Sequence, residues 1–339
     1  MTTEQINNLV ATGKFPDSSG KRTLVETHIS WVILGDQFVY KIKKPVNYSF
    51  LNFSTPEKRK HFCEREILLN KRLTKNVYLD VQPVNKLNEQ FIIGGDEGVM
   101  IDYAVRMHKL ETEKQMDKLL LHNRVTASDI KNLAEKIAAF HKETTIIYDK
   151  DFMDIGEKFN DLEAEKDFIN KELGEEYSQV IREAIAASDD FMEKHKDLLA
   201  ARLSAGLFRD GHGDLHARNI FLLPEPVPFD CIEFNDDFRQ IDVLNEVAFL
   251  CMDLDAIGRQ DLSALFIDYY NQFFPCMKTA GEHSLFIYYK SYRANIRAKV
   301  NSLRAKTATD NTEKIKALAE SKKYLLLMDS YLKSPELLR

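Results

Sequence analysis

The pattern of hydrophobic and polar positions divides the chain into a strand-rich first part and a helix-rich remainder. Residues 23–43 are rich in β-branched and aromatic side chains and are interrupted by Gly35-Asp36, which predicts a strand, a turn and a second strand. Ser54-Thr55-Pro56-Glu57 is typical of a helix start, because it offers a hydroxyl cap, a proline and an early acid. Further strands are predicted at Tyr78–Asn85, Gln90–Ile93 and Val99–Met107.

Helical spacing dominates after about residue 108. In Thr126–His141 the apolar residues form one helical stripe, made of Ile130, Leu133, Ala134, Ile137 and Ala138. The charged residues 157–200 predict two or three amphipathic helices, and further helices are predicted at 242–272, 283–306 and 311–332. The sequence therefore predicts an α+β fold in which a small β-rich N-terminal lobe precedes a larger helical C-terminal lobe.

Composition narrows the class of protein. The 339 residues carry 47 Lys and Arg against 53 Asp and Glu, and a net charge of −6 argues against a dedicated nucleic-acid binder. The N-terminal residues lack the pattern of a secretory signal, and no stretch approaches the ~18 apolar residues of a membrane-spanning helix. The four cysteines lie far apart, so we expect reduced thiols in a cytoplasmic protein. From the net charge and the lack of long apolar stretches, we expect partners that are neither nucleic acids nor membranes.

The densest group of chemically capable residues is HGDLHARNI, residues 212–220. It contains His212, Asp214 and Asn219 in the pattern H-x-D-x-x-x-x-N, and Asp230 follows at the end of a short apolar run. Phosphoryl transfer needs such a set, because one carboxylate must accept or orient the proton of the acceptor hydroxyl. An amide oxygen and a second carboxylate must hold Mg²⁺ against the triphosphate. The pattern therefore predicts a phosphotransferase.

On these motifs the chain resembles the aminoglycoside phosphotransferase family, whose members have the protein-kinase-like fold. The resemblance runs from about Thr27 to Ala305, and it is most specific at HGDLHARNI and at FDCIEFNDDFRQID, residues 229–242. It implies a two-lobed fold with a nucleotide-binding lobe at residues 1–106. Residues 107–339 would form the helical lobe that carries the catalytic loop and the acceptor site.

The resemblance also implies a role for each motif residue. Asp214 would be the catalytic base, Asn219 and Asp230 would bind Mg²⁺, and His212 would be a structural histidine under the loop. Asp242 matches the family's second aspartate, which braces the catalytic loop from the next helix. The implied activity is phosphorylation of a hydroxyl group on a small molecule, with ATP as the donor and Mg²⁺ as the cofactor.

The family also has a lysine on a strand and a glutamate on a helix, which together hold the phosphates of the nucleotide. Lys41 lies on the second strand of the predicted hairpin, and Lys43 shares its face because side chains alternate along a strand. We prefer Lys41 and leave Lys43 open. Glu66 is preferred over Glu64, because Arg-Glu-x-x-Leu is where the family places its glutamate.

Two phosphate-binding sequences are missing. No G-x-G-x-x-G precedes Lys41, where protein kinases use such a loop to cover the triphosphate, and only Gly35 lies in the turn. No G-x-x-x-x-G-K-[ST] occurs, which excludes a P-loop enzyme.

Two other functions remain as alternatives. One is a kinase-like scaffold that binds nucleotide without turnover. The other is a metal-dependent hydrolase that uses His212, Asp214 and His216, since alternating His and Asp can bind a metal. Glu233 is the alternative to Asp230 as the acidic metal ligand.

The helix predicted at 283–306 carries a basic stripe, which we define as Lys290, Arg293, Arg297 and Arg304. These residues fall on one helical face beside an apolar sector, so the stripe could line a cleft. If it does, the acceptor should carry an anionic group, because unpaired cations beside Asp214 would otherwise repel one another. The alternative, without a role in acceptor binding, is a surface stripe that neutralises the acidic helices at 157–200.

Overall fold

The structure, a computed structural model, describes residues 1–16 and 20–337. These residues form two compact units. The first unit comprises Met1–Arg124 together with Arg218–Arg239, and the second comprises Val125–Ala217 together with the residues from Gln240 onward. The predicted boundary between residues 106 and 107 falls within the first unit. As a division between nucleotide-binding and acceptor lobes, it stays a prediction.

Strands are concentrated in the first unit and helices in the second. The strands are β1 (Thr23–Glu26), β2 (Ser30–Leu34), β3 (Phe38–Lys43), β4 (Asn47–Tyr48), β5 (Leu51–Asn52), β6 (Tyr78–Leu87), β7 (Gln90–Ile93), β8 (Val99–His108), β9 (Phe208–Asp210), β10 (Ile220–Phe221), β11 (Val227–Pro228) and β12 (Gln240–Asp242). The helices are α1 (Thr3–Thr12), α2 (Pro56–Asn70), α3 (Met116–Leu121), α4 (Ala127–Glu143), α5 (Asp154–Asn160), α6 (Lys166–Leu173), α7 (Glu175–Lys194), α8 (Lys196–Ser204), α9 (Val243–Ala256), α10 (Gln260–Phe273), α11 (Ala280–Thr307) and α12 (Asn311–Leu332).

The first unit is built on a six-stranded sheet in the order β1-β2-β3-β8-β6-β7, with every neighbouring pair antiparallel. The strands predicted at 78–85, 90–93 and 99–107 are confirmed as β6, β7 and β8. The predicted first strand is in fact two, β1 and β2. A turn separates them, in which the Thr27 hydroxyl accepts a hydrogen bond from the Ser30 N–H at 2.9 Å.

The two faces of this sheet pack against different helices. Tyr40 and Ile42 of β3 lie in an apolar cluster with Ile6 and Leu9 of α1. The next residues along the strand point the other way, because side chains alternate across a sheet. Lys41 and Lys43 therefore share the other face, as the sequence predicted, and both contact Glu66 of α2.

Helix α2 begins where the sequence predicted. The Thr55 hydroxyl caps it by accepting the Lys58 N–H at 3.4 Å, and Pro56 is the first helical residue. Glu66 is among the buried residues of α2, and it contacts both lysines of β3.

The second unit is organised around α9. Each residue from Val243 to Asp255 is buried, and α10 and α11 pack against this helix. The helices predicted at 126–141, 283–306 and 311–332 are confirmed as α4, α11 and α12. The charged stretch at 157–200 lies in four α-helices, α5 to α8, rather than two or three. Among the described residues, no helix is long and apolar enough to cross a membrane.

Candidate active site

Two lysines of β3 reach the same carboxylate. In the first unit, Lys41 Nζ donates to Glu66 Oε1 at 2.8 Å and Lys43 Nζ donates to Glu66 Oε2 at 2.7 Å. Glu66 is fully buried. Burial by itself would raise its pKa, but the two ammonium groups outweigh burial and lower the pKa of Glu66 to about 2. Glu66 is therefore a carboxylate throughout the physiological pH range.

The second partners of the two lysines differ in exposure. Lys41 Nζ also donates to Asp230 Oδ1 at 2.6 Å, and Lys43 also pairs with Glu233. The Lys43 side chain is wholly buried, and that of Glu233 is 4% exposed. The Asp230 side chain is 41% exposed, and that of Lys41 is 12% exposed. Lys41 and Asp230 are thus the members of this ion-pair network that a ligand can reach.

The backbone at Asp230 is held in a conformation that few non-glycine residues adopt. Its φ is +63°, in the left-handed region, which costs of order 1–3 kcal/mol. The Asp230 N–H donates to the Tyr78 hydroxyl at 3.1 Å, and the next N–H, that of Cys231, donates to Asn70 Oδ1 at 2.9 Å. These two contacts and the ion pair to Lys41 compensate the strain and aim the carboxylate. The sequence did not indicate either Tyr78 or Asn70.

A short hairpin explains how Asn219 comes close to Asp230. Strands β10 and β11 pair antiparallel, and the Phe229 N–H donates to the Asn219 carbonyl at 2.9 Å. The residue before Asp230 is thus bonded to Asn219, although eleven positions separate the two motif residues. Asn219 is buried, and it lies with Asp230 at one end of the hairpin in the first unit.

In the second unit, the HGD segment forms a tight loop that carries Asp214. Gly213 has a φ of +86°, a conformation that glycine adopts without strain. The His212 ring is fully buried, and its Nδ1 accepts the Asp214 N–H at 3.2 Å. His212 thus bonds to the backbone of its own loop, and the structural role that the resemblance implies for it stays a prediction.

The carboxylate that braces this loop is Glu246 of α9. Its Oε2 accepts the N–H groups of His212 at 2.8 Å and Gly213 at 3.0 Å. Its Oε1 lies 2.9 Å from His141 Nε2, and His141 Nδ1 lies 2.6 Å from the Tyr270 hydroxyl. A Cβ at Gly211 would lie 2.1 Å from Glu246 Oε2, so only glycine leaves room for the carboxylate.

Sequence reasoning missed Glu246 and assigned the brace to Asp242. The contacts of Asp242 are different: it makes a bidentate pair with Arg202 at 2.6 and 2.8 Å and caps α9 through the Leu244 N–H. The brace that the resemblance implied for Asp242 is therefore supplied by Glu246, one helical turn further on. A signal was present, since a carboxylate inside an apolar helix must be paired or hydrogen-bonded.

Asp214 is held in its ionised form. Burial would raise its pKa, but the interaction with His216 outweighs burial, and His212 and Arg297 add to it, so the pKa of Asp214 lies well below its usual range. His216 Nε2 is 3.4 Å from Asp214 Oδ2. The side chain is therefore an acceptor of protons or hydrogen bonds at neutral pH.

The basic stripe is not a row of free cations. Lys290 pairs with Asp255 at 2.8 Å, and Arg304 lies 3.8 Å from Glu313. Arg293 is 5% exposed and donates from Nε to Asn245 Oδ1 at 2.7 Å, with Nη1 3.4 Å from the Gly213 carbonyl. The expectation of unpaired cations was wrong for Lys290 and Arg304, which pair with acids of neighbouring helices. The oxygens that Arg293 contacts are neutral, so they satisfy its hydrogen bonds without neutralising its charge.

Arg297 differs from the other members of the stripe. It lies one turn beyond Arg293 on α11, with its guanidinium over the Tyr324 ring at 5.3 Å. Its Nε has no hydrogen-bond partner in the part of the chain that the structure describes. Asp253 and Asp214 both attract its charge.

The arrangement of His212, Asp214 and His216 does not favour the hydrolase alternative. His212 directs Nδ1 to the backbone of its own loop, and His216 directs Nε2 toward Asp214. Within residues 1–16 and 20–337, no group of three or more His, Cys, Asp or Glu side chains is placed to hold a metal ion. Both histidines make contacts with residues of the loop that carries Asp214.

Sequence comparison finds relatives but no family. No protein-family model matches the chain. Uncharacterized proteins of Mycobacterium bovis and Mycobacterium tuberculosis are 29% identical to it over 316 residues. The matched region covers 91% of this chain but only 59% of those proteins, so the chain spans less than two thirds of their length.

Solved structures show the fold. A choline/ethanolamine kinase family protein from Mesorhizobium loti matches all of the chain and 97% of its own, with a TM-score of 0.57 and 12% identity. A spectinomycin phosphotransferase, solved with ADP and spectinomycin, matches over 98% of both chains with a TM-score of 0.52 and 11% identity. A choline kinase from Cryptosporidium parvum matches over 93% of both chains with a TM-score of 0.51 and 11% identity. These similarities confirm the prediction from sequence: the chain has the protein-kinase-like α+β fold of small-molecule kinases.

Proposed function

We propose that this protein is an ATP- and Mg²⁺-dependent phosphotransferase that phosphorylates a hydroxyl group of a small molecule. The observation that carries the proposal is the position of Lys41, which bridges Glu66 at 2.8 Å and Asp230 at 2.6 Å. In a protein-kinase-like fold, a strand lysine paired with a helix glutamate is the group that holds the nucleotide phosphates. The neighbour solved with ADP supports a nucleotide as ligand.

Lys41 would bind the phosphates, and Glu66 would orient it. The ammonium group of Lys41 is available for this role because its side chain is 12% exposed, whereas the side chain of Lys43 is wholly buried. We therefore retain Lys41 as the phosphate-binding lysine. Glu66 keeps a full negative charge, which fixes the direction of the Lys41 side chain.

Asn219 and Asp230 would hold Mg²⁺. The fit rests on donor chemistry, since carboxylate and amide oxygens are the hard ligands that this ion takes from proteins. Asp230 suits the role better than Glu233, because its carboxylate is ten times more exposed, at 41% against 4%. When bound, Mg²⁺ would supply charge neutralisation for the phosphate oxygens.

Asp214 would align the acceptor hydroxyl and receive its proton. As the acceptor oxygen forms a bond to the γ-phosphorus, the bond between that phosphorus and the bridging oxygen of ADP breaks, and the hydroxyl proton passes to Asp214 Oδ. A carboxylate with a lowered pKa is a weak base, so its larger contribution would be orientation. Such a role suits phosphoryl transfer, in which the transition state is loose and catalysis comes mainly from positioning and electrostatic stabilisation.

The acceptor would be a small hydroxyl compound, and Arg297 is the one residue of the basic stripe that supports an anionic group on it. Its Nε is buried and has no hydrogen-bond partner within the described residues, and Asp214 is among the acids that attract its charge. We place the reaction in the cytoplasm, where ATP is available and where the four buried cysteines would stay reduced. Residues 1–106 would bind nucleotide, and residues 107–339 would bind the acceptor.

A screen of small hydroxyl compounds for ATP consumption with Mg²⁺ tests the proposal, with Asp214→Ala as the inactive control. We expect at least one compound to stimulate ATP consumption by the wild type and not by the variant. If the wild type binds ADP but no compound stimulates turnover, the scaffold without turnover becomes the better description. If turnover survives in Asp214→Ala, the assignment of the base is wrong.

A further inference from the structure

The geometry points to Lys43 and Glu233 as a second, buried lysine–glutamate pair that positions the nucleotide-binding groups. This inference rests on the proposed function, because it assigns the pair a task toward Lys41 and Asp230. The pair would act through these two residues and would not touch the nucleotide.

Lys43 connects three separate pieces of the first unit. It belongs to β3, two residues after Lys41 and on the same face of the sheet. Its ammonium donates to Glu66 Oε2 on α2 at 2.7 Å, and it pairs with Glu233, three residues after Asp230. One side chain therefore fixes the strand of the phosphate-binding lysine, the helix of its glutamate and the segment of the acidic metal ligand.

Burial separates this pair from the groups that would contact ligand. Lys43 has no exposed side-chain surface, and its ammonium also lies 4.9 Å from the centre of the Phe53 ring. An ammonium group this deeply buried is not in position to contact a phosphate. Lys41, at 12% exposed, is the member of the same face that can.

The charges of the network explain why a second pair is needed. Glu66 divides its two oxygens between the two lysines, so Lys41 holds only Oε1. Without Lys43, Oε2 would lose its cation, and the carboxylate could rotate or take both oxygens to Lys41. Asp230 competes for the same ammonium group at 2.6 Å. Lys43 therefore leaves Lys41 with one fixed contact to Glu66 and with donors free for other partners.

The test compares nucleotide binding in matched variants. Lys43→Met alone would leave Glu233 buried without a cation, so the main variant is the charge-neutral Lys43→Met/Glu233→Gln, with Glu233→Gln as a milder second variant. We expect the double variant to bind ADP with Mg²⁺ 10- to 100-fold more weakly, roughly the cost of misplacing a binding group. With an acceptor, KM for ATP should rise and kcat should fall. Amide exchange in residues 229–234 should accelerate without ligand.

The control is another buried ion pair on the same helix. Arg59 of α2 makes a bidentate pair with Asp102 of β8, at 2.8 and 2.9 Å. Arg59→Met/Asp102→Asn should lower the melting temperature yet leave ADP affinity within about twofold of wild type, since its cost is structural.

Three results are informative. ADP affinity that falls in Lys43→Met/Glu233→Gln and in Glu233→Gln, but not in the Arg59 control, supports the positioning role. Wild-type ADP affinity in a folded Lys43→Met/Glu233→Gln, or equal losses in the control, overturns it. A wild type that binds no ADP refutes the proposed function and the inference together, which distinguishes that failure from the previous one.

Discussion

Replacement of Glu246 by glutamine should destabilise the loop that carries Asp214. The carboxylate accepts the N–H groups of His212 and Gly213 and faces His141 Nε2, all within 3.0 Å. The amide of Glu246→Gln offers one acceptor oxygen and places an NH₂ group where the other oxygen was. That NH₂ group faces either the loop N–H groups or His141, so at least one hydrogen bond is lost or requires a change of the His141 tautomer.

The magnitude follows from the titration of the carboxyl group. Burial would raise its pKa, but the hydrogen bond and charge of His141 outweigh burial, and the pKa of Glu246 falls to about 2 from an ordinary value of 4.5. This difference corresponds to about 3 kcal/mol of folding free energy at neutral pH. Because the folded-state pKa is the lower one, the contribution is complete above pH 4.5 and is lost as the pH falls toward 2.

The assay should follow the second unit directly. The single tryptophan, Trp31, lies in the first unit, so tryptophan fluorescence does not report on this loop. Urea unfolding by circular dichroism at pH 7 and pH 3.5, with amide exchange at residues 211–216, gives both the global and the local free energy. We expect Glu246→Gln to lose about 3 kcal/mol at pH 7 and about 2 kcal/mol at pH 3.5. The exposed Glu313→Gln on α12 should change stability by less than ~0.5 kcal/mol at either pH.

A loss of less than about 0.5 kcal/mol at pH 7 would show that Glu246 does not brace the loop. An equal loss at both pH values would refute the electrostatic part of the reasoning, because the cost would then be one of packing. Unchanged exchange at residues 211–216 together with a global loss would place the effect elsewhere in α9.

Three further predictions concern the proposed chemistry. Asp214→Asn should leave ADP affinity nearly intact and lower turnover on the order of 10²-fold or more, and turnover within a few-fold of wild type would remove Asp214 from the mechanism. Asp230→Ala should weaken binding of Mg²⁺-ATP by calorimetry and abolish transfer, whereas unchanged binding would favour Glu233 as the metal ligand. Arg297→Met should raise KM at least tenfold for anionic acceptors and not for neutral ones. Equal effects on both would mean that Arg297 does not select charge.

The sequence was sufficient for the fold and for the order of the chemical groups. Strand parity placed Lys41 and Lys43 on one face, whereas Glu66 was chosen from the resemblance to the family, and both lysines contact it. The shared face of the two lysines follows from local periodicity, which a single chain displays directly. Whether Lys41 or Lys43 is accessible does not follow from parity. It depends on Glu233, which lies 190 residues further along the chain than Lys43.

The brace at Glu246 was missed for a related physical reason. Asp242 and Glu246 are one turn apart, and either could have pointed to the loop. The choice is made by Arg202, which takes both oxygens of Asp242 in a bidentate pair. Sequence spacing contains no information about which acid a distant arginine occupies. The division of residues 157–200 into four α-helices could not be predicted from the sequence pattern either, because helix ends in charged stretches depend on tertiary contacts.

Because α9 is buried on every side, the loop that carries Asp214 should unfold only when the second unit unfolds. A loop fastened to an edge helix can melt early and leave an inactive protein that is still folded. Here the fastening residue sits in a helix buried from Val243 to Asp255. Release of the loop then requires disruption of the helix packing itself. On heating, activity and helical structure should disappear together, and mild warming should not yield a folded, inactive form.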